Sequence, residues 1–358
     1  MHLSWNKVPD LHVLLFTMNV QNNYIILVLL TFSIADDDDR AAKVGVKQTT
    51  LKPTCFTHPT NPKIKFWDLP GIGTPEYLDL ETYCTKVPLK EYDAFLIFSS
   101  KRFTENDKQL SKKIRSMNKH FFFIRTHIDN DIKGEKRKKS FREEATLEEI
   151  RSDCLQNLHG LVRKEEIFLI SNYHPALWDF GRLCGAILDA LPMHQRESLT
   201  LSLSALTSLS TDILKRKVEI LQGRIWKVAS LSAAIAVAPV PGLSIIVDLV
   251  LIYKEISFYI SQLGVPETGT SVFALLSDKT KRDVTTIWST MSTVSNIKEL
   301  MRTFATEQTI EEFTRVIPFV GCLAAGAMSF VGTYYFLKKC LKSIESVALL
   351  VLKETTID

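Results

Sequence analysis

Short apolar runs separated by polar or glycine- and proline-bearing turns fill the first half of the chain, and long apolar helical stretches fill the second. Residues 63–68, 94–100, 120–125 and 166–171 read as strands, each short, apolar and rich in aromatic or β-branched residues. Between these runs lie helical patterns. Residues 106–118 place Leu110, Ile114 and Met117 on one face, with Asn106 or Asp107 as N-cap, and 147–158 and 177–191 follow with the same period. Alternating strands and helices predict an α/β domain, with a mainly parallel sheet covered by helices on both faces and ligands at the carboxyl ends of the strands.

After Met193 the strand signals stop. Residues 228–252 carry one charge, Asp248, and are broken at Pro239-Val240-Pro241-Gly242, which predicts two apolar helices joined by a tight turn. Residues 316–337 are uncharged and rich in Gly, Ala and Ser. Two readings stand: close-packed core helices of an all-α domain, or a membrane-surface or inserted hairpin. The expected organisation is an atypical segment at 1–35, an α/β domain at 36–193 and a helical domain at 194–358. The apolar run at 24–35 suits a buried element, or a signal or membrane anchor.

Composition narrows this picture. At 358 residues with 46% hydrophobic content, two domains with sizeable cores are expected. A net charge of +4, without aromatic-basic interleaving or zinc-finger spacing, gives no support for nucleic acid as a partner. The six cysteines are scattered and lack a C-x-x-C pair, the pattern of reduced thiols in a cytosolic protein. Residues 133–142 (KGEKRKKSFR) read as a basic loop, either a solvated connection or a contact for acidic lipid or a partner subunit.

Candidate chemistry sits at successive strand ends. Asp68-Leu69-Pro70-Gly71 follows the first strand. In a nucleotide-binding α/β domain, that carboxylate reaches a phosphate-bound Mg2+ and the glycine N–H reaches the terminal phosphate. An ordinary β-turn at Pro70-Gly71 is the plainer alternative. Thr126-His127-Ile128-Asp129 follows the third strand. A carboxylate there accepts two hydrogen bonds from guanine N1–H and the exocyclic amine, a pair adenine lacks. His127 stands where a lysine stem commonly packs over the base, and Asp129 is otherwise a helix N-cap or a loop carboxylate. Ser171-Asn172 follows the fourth strand and can frame the guanine carbonyl. Thr49 and Thr50 are candidates for sensing the terminal phosphate and Mg2+, or plain strand-start threonines.

Together, FWDLPGIGT, EYDAFLIFSSKRFTENDKQL, RTHIDND and FLISN resemble the immunity-related GTPases, the interferon-inducible p47 family. APVPGLSIIVD and VIPFVGCLAAGAMSF are similar to that family's helical domain, most of all in fish-type members. The likeness covers roughly nine-tenths of the chain. It implies a Ras-like P-loop-type G domain with a C-terminal helical domain, binding GTP/GDP and Mg2+. It also implies slow hydrolysis, homo- or hetero-oligomers with related GTPases, and a cytoplasmic protein peripheral on intracellular membranes in innate immune defence.

One departure cuts across that resemblance. The motif G-x-x-x-x-G-K-[ST] is absent. The segment expected to hold it, 16–34, reads FTMNVQNNYIILVLLTFSI; the first glycine is Gly45, and Lys7 is the only lysine before Lys43. Set against the family's layout, LHVLLFT at 11–17 still serves as the first, central strand. The missing charge-assisted hydrogen bonds are worth roughly 1.5–3 kcal/mol each. A loss of about 5 kcal/mol weakens binding more than a thousandfold. The sequence therefore predicts an impaired GTP-binding protein with no assignable general base. The alternatives are a nucleotide-free pseudo-GTPase acting as an interaction or regulatory module, and a small integral membrane protein spanning at 228–252 and 316–337.

Overall fold

Six strands form one sheet in the computed structural model of the chain, which describes residues 11–17, 52–57, 62–70, 72, 75–99, 105–171, 173–174, 177–203, 207, 210–236, 243–307 and 324–355. They are β1 (Leu11–Thr17), β2 (Thr54–Thr57), β3 (Ile64–Leu69), β4 (Ala94–Ser99), β5 (His120–Arg125) and β6 (Ile167–Leu169), in spatial order β2-β3-β1-β4-β5-β6. The run 11–17 takes the central place expected of it, parallel to both neighbours, with Leu15 level with Asp68 of β3 and with Leu96 of β4. All pairings are parallel except β2 with β3.

Every residue of β4 is buried, as expected where helices cover both faces of a parallel sheet. Leu69, Phe95, Ile97, Phe123 and Leu169 belong to one buried cluster of that core. The helices of this unit are α1 (Leu80–Lys86), α2 (Glu105–Ser116), α3 (Ile128–Glu135), α4 (Glu143–Asn157), α5 (Phe180–Ala190) and α6 (Met193–Ser202). Leu110 and Ile114 of α2 are fully buried and Met117 packs against the same core, as their spacing predicts. The helix begins one residue earlier than expected, so Asn106 lies in its first turn and donates to the Ile72 carbonyl at 3.4 Å instead of capping. Helix α3 runs through Glu135, so the basic stretch 133–142 starts as helix and is a connection only from Lys136 on.

The chain divides into two units, Met1–Leu209 and Ser210–Asp358. The second is helical: α7 (Thr211–Ala236), α8 (Leu243–Leu263), α9 (Ser271–Leu275), α10 (Asp278–Met291), α11 (Val294–Glu307) and α12 (Ala324–Thr355). Helix α7 packs along both α8 and α12. Small hydroxyl residues allow the close approach: the Ser232 hydroxyl lies 2.8 Å from that of Ser329 and 3.0 Å from that of Thr333. Arg224 and Glu255 join α7 to α8 by two parallel bonds of 2.9 and 2.8 Å. The apolar stretch 228–252 is thus divided between α7 and α8; its proline-glycine break, residues 316–323 and the run 24–35 lie outside the described residues. Among the described residues no helix is long and apolar enough to cross a membrane.

Candidate functional site

The expected site residues lie where parallel strands end. Asp68 is the penultimate residue of β3 and is 7% exposed. The turn Thr126–Asp129 leaves the end of β5, and Ser171 lies just beyond β6. Thr49, Thr50, Gly71 and Asn172 lie outside the described residues.

Backbone hydrogen bonds draw the β5 and β6 ends together. Thr126 N–H donates to the Ser99 carbonyl at 2.9 Å, Ile128 N–H to the Ile170 carbonyl at 3.3 Å, and Ile170 N–H to the Arg125 carbonyl at 2.9 Å. The Thr126 hydroxyl also donates to Ser99 O, at 3.3 Å, and the residue is fully buried. It therefore ties the turn to β4 and positions its neighbours. His127 adopts a left-handed backbone (φ 59°, ψ 31°) and serves as N-cap of α3 without a side-chain capping bond. Histidine is among the residues more tolerant of that region. The kink starts α3 at Ile128 and puts Asp129 in its first turn, where a negative charge meets the positive end of the helix dipole.

Asp129 is not the cap its plainer reading made it. Its Oδ1 is buried and accepts no hydrogen bond among the described residues. A buried carboxylate oxygen left without a donor is costly, on the order of 1–3 kcal/mol or more. Such an atom at a strand-end turn is open to a donor that the described residues do not supply. The N1–H and amine of guanine supply donors of that kind. Ser171 is 1% exposed and its Oγ accepts the Tyr173 N–H at 3.2 Å, a local turn that shapes the loop after β6. Asp68 stands apart. β1 and β4 lie between β3 and β5, so three inter-strand spacings, about 14 Å, separate the two strand ends. One edge of the sheet thus holds both Asp68 and the Thr126–Asp129 turn, at separate strand ends.

A buried arginine supports the turn from behind, and the sequence reading missed it. Arg125 closes β5 at 6% exposure; Nη1 donates to the Thr126 carbonyl and Nη2 to Asp131 Oδ2, both at 2.6 Å. Burial holds the Asp131 carboxyl above its usual range, with the Arg125 charge pulling the other way. The visible signal was an arginine ending an aromatic strand with an aspartate six residues on. Behind this pair a cavity of about 340 Å³ opens between α3 and α4, over Cys154. Burial raises the Cys154 thiol to about 11. Asp179 was also missed. Its Oδ2 accepts the Leu169 N–H at 2.9 Å and meets Arg151, while its own N–H donates to the Leu169 carbonyl at 3.0 Å, closing the loop that carries Ser171. Burial opposes ionisation there, but hydrogen bonds from Arg182 and the Leu169 N–H outweigh it and keep the carboxyl below its ordinary value.

A magnesium ion demands near-octahedral oxygen coordination, normally from one or two carboxylates plus substrate phosphates. Asp68 is a suitable donor, and of the two expected ligands it is the one within the described residues. A single carboxylate does not hold that ion without phosphates beside it. The place for those phosphates follows from topology. β1 is the central strand between β3 and β4, so a phosphate loop of this sheet order would follow Thr17. The residues there are Met18-Asn19-Val20-Gln21-Asn22-Asn23-Tyr24, without glycine or lysine.

Residues 30–354 match the family model described as interferon-inducible GTPase (IIGP). Interferon-inducible GTPase 5 of Bos taurus is 32% identical over 319 residues, covering 87% of this chain and 68% of that protein. Interferon-gamma-inducible GTPase 10 of Mus musculus is 30% identical over 325 residues, covering 90% and 76%. Interferon-inducible GTPase 1 of Mus musculus is 34% identical over 241 residues, covering 66% and 57%.

Proposed function

The chain belongs to the interferon-inducible GTPase (IIGP) family, and from that membership we propose that it is a guanine-nucleotide-binding protein whose base-reading end is intact and whose phosphate-gripping end is impaired. The observation that carries this reading is the buried Oδ1 of Asp129, without a hydrogen-bond partner among the described residues, at the carboxyl edge of a sheet in G-domain order. Asp129 accepts the N1–H and amine of guanine. The His127 ring lies along the base, Ser171 and Asn172 frame its carbonyl, and Thr126 fixes the turn. Asp68 and Gly71 face the terminal phosphate and Mg2+, with Thr49 or Thr50 arriving from upstream. No side chain of the site is assigned as general base, so GTP hydrolysis is slow or absent.

Equilibrium binding of labelled GDP and ADP to the full chain and to its Asp129→Asn variant tests the reading. Guanine is expected to be preferred by the parent chain and the preference lost in the variant. Equal affinity for the two nucleotides in the parent chain sinks it.

The second reading is a pseudo-GTPase, an interaction or regulatory module that needs no nucleotide. It is favoured by the lack of glycine and lysine after β1. The cellular setting we propose is the cytoplasmic surface of intracellular membranes, in assemblies with copies of this chain or with related GTPases, in innate immune defence. A protein held at such a surface is released from membranes by alkaline carbonate; retention in the pellet refutes peripheral attachment.

A further inference from the structure

Residues 133–142 carry six basic side chains and a single acid, Glu135. The stretch is pinned at both ends. Ile132, just before it, is buried, and Phe141 packs against the core of the first unit. Between these anchors the backbone is held by successive turns: Lys136 N–H donates to the Ile132 carbonyl at 2.9 Å, Lys138 N–H to Glu135 O at 2.9 Å, and Phe141 N–H to Lys138 O at 3.1 Å. The cations point outward from this fixed backbone. Lys138 is held by the Glu135 carboxylate at 2.5 Å. Lys133, Lys136, Arg137, Lys139 and Arg142 are exposed and form no ion pair among the described residues.

The chemistry around these five cations selects the partner. No large apolar side chain is exposed between Ile128 and Arg142. A protein–protein contact draws most of its energy from buried aromatic or apolar anchors, and lysine is depleted there. Single-stranded nucleic acid needs aromatic platforms for its bases, and the one aromatic ring of the stretch, Phe141, is turned to the core. Lysines outnumber arginines four to two, and lysine is a mobile point charge that suits a fluid plane of headgroups better than a fixed, bidentate partner. The sign of the surface then reverses: Glu144, Glu148 and Glu149 of α4 are exposed directly after Arg142. A face that changes sign along its length meets an anionic plane in one orientation, with 133–142 toward it and the α4 carboxylates away.

We propose that residues 133–142 are a docking platform for the anionic surface of a membrane, with acidic phospholipid headgroups met by Lys133, Lys136, Arg137, Lys139 and Arg142. This gives the peripheral attachment proposed above a surface, and it rests on that reading. The contact is electrostatic and does not insert, because nothing apolar on the platform can enter the bilayer. Each unpaired cation near such a surface strengthens partitioning about fivefold, and the attraction falls off within a Debye length.

Co-sedimentation of the full chain with vesicles tests the platform, using phosphatidylcholine alone and with about 30% phosphatidylserine, in dilute buffer and at about 1 M salt. Binding is expected on the anionic vesicles alone, and is lost at high salt. The triple variant Lys136→Gln, Arg137→Gln, Lys139→Gln should bind about a hundredfold more weakly. A matched variant removes three exposed cations of α2, Lys112→Gln, Lys113→Gln, Arg115→Gln; it has the same net charge and should change binding by less than about threefold. All six positions are exposed, so both variants should keep the parent's unfolding midpoint. Equal weakening in the two variants makes the effect one of net charge and overturns the platform, as does binding that survives the triple variant. A parent chain that ignores anionic vesicles, binds neutral ones as well, or prefers duplex RNA or DNA at the same phosphate concentration also overturns it. Carbonate fractionation of cells reads membrane attachment separately, so the platform can fail while peripheral attachment stands.

Discussion

Lys217, fully buried in α7, donates from its ammonium to the main-chain carbonyl of Gln262 in the last turn of α8, 3.1 Å away. That turn ends in a two-bond cap. Gly264 sits in the left-handed region at φ 68°, its N–H pointing to Ser261 O, while Val265 N–H reaches Ile260 O. The Gln262 carbonyl is left over by this arrangement, and Lys217 takes it, placing a cation where the helix dipole favours one.

The contact does not offset the loss of water around the charge, and burial lowers the Lys217 pKa to about 7. The sign of the consequence is fixed. Between that value and the ordinary lysine value of 10.5 the unfolded chain binds the proton and the folded chain does not, so stability rises with pH across this window. Below pH 7 both states are charged and the full penalty applies. Chemical denaturation at pH 7 and pH 9 should show the second unit gaining on the order of 1 kcal/mol per pH unit from this group. Lys217→Met should remove that gain, so the variant's advantage over the parent shrinks as pH rises. Parallel pH profiles for the two proteins would count against a lysine titrating near neutrality.

The Arg125–Asp131 pair carries the second prediction. Arg125 joins a strand end, a turn carbonyl and a helix carboxylate through two short bonds, and Asp131 is 32% exposed where Arg125 is 8%. Removing the arginine strands the Thr126 carbonyl and leaves a half-buried carboxylate unpaired. Discounted for the solvent that reaches Asp131, Arg125→Met should cost about 1–3 kcal/mol in thermal or denaturant unfolding of the first unit. Replacing both members by apolar residues should recover part of that loss, which a double-mutant cycle measures. Guanosine binding should fall in the single variant, because the turn bearing Asp129 loses its support. An unchanged midpoint would mean the pair is ornamental to stability.

What the sequence made legible, and what it hid, follows from how local each signal is. HFFFIR is a buried strand by composition alone, and the period of Leu110, Ile114 and Met117 needs no tertiary information. β2 was invisible because Thr54–Thr57 is short and mostly exposed; it is a strand only because it lies along β3. Arg125 looked like the polar end of a strand, and its role depends on a left-handed turn at His127 that folds Asp131 back beside it. Lys217 was readable in principle. It stands three residues after Leu214 and four before Leu221, both buried, so it falls within the apolar stripe of α7. Among the neighbours Lys215 and Arg216 it passed as one more surface charge.

The strongest discrimination between a repairable G domain and an unrelated use of the same sheet is to supply what the chain lacks. The register of β1 against β3 and β4 fixes where: Phe16 is level with Leu69, and Thr17 with Phe98, so residues 18–25 begin at the carboxyl edge beside Asp68. Replacing 18–25 by a G-x-x-x-x-G-K-S loop gives the backbone N–H groups and the lysine that phosphates require, and a hydroxyl to share Mg2+ with Asp68. Several charge-assisted bonds of roughly 1.5–3 kcal/mol each would return. Affinity for GTP should therefore rise a thousandfold or more while guanosine affinity stays put, and the dependence of GTP binding on Mg2+ should steepen. Titration calorimetry with GTP and guanosine reads both changes on one sample. A graft that folds, keeps guanosine binding and gains nothing for GTP would mean that the edge beside Asp68 is not a phosphate site, and that the impairment runs deeper than one missing loop.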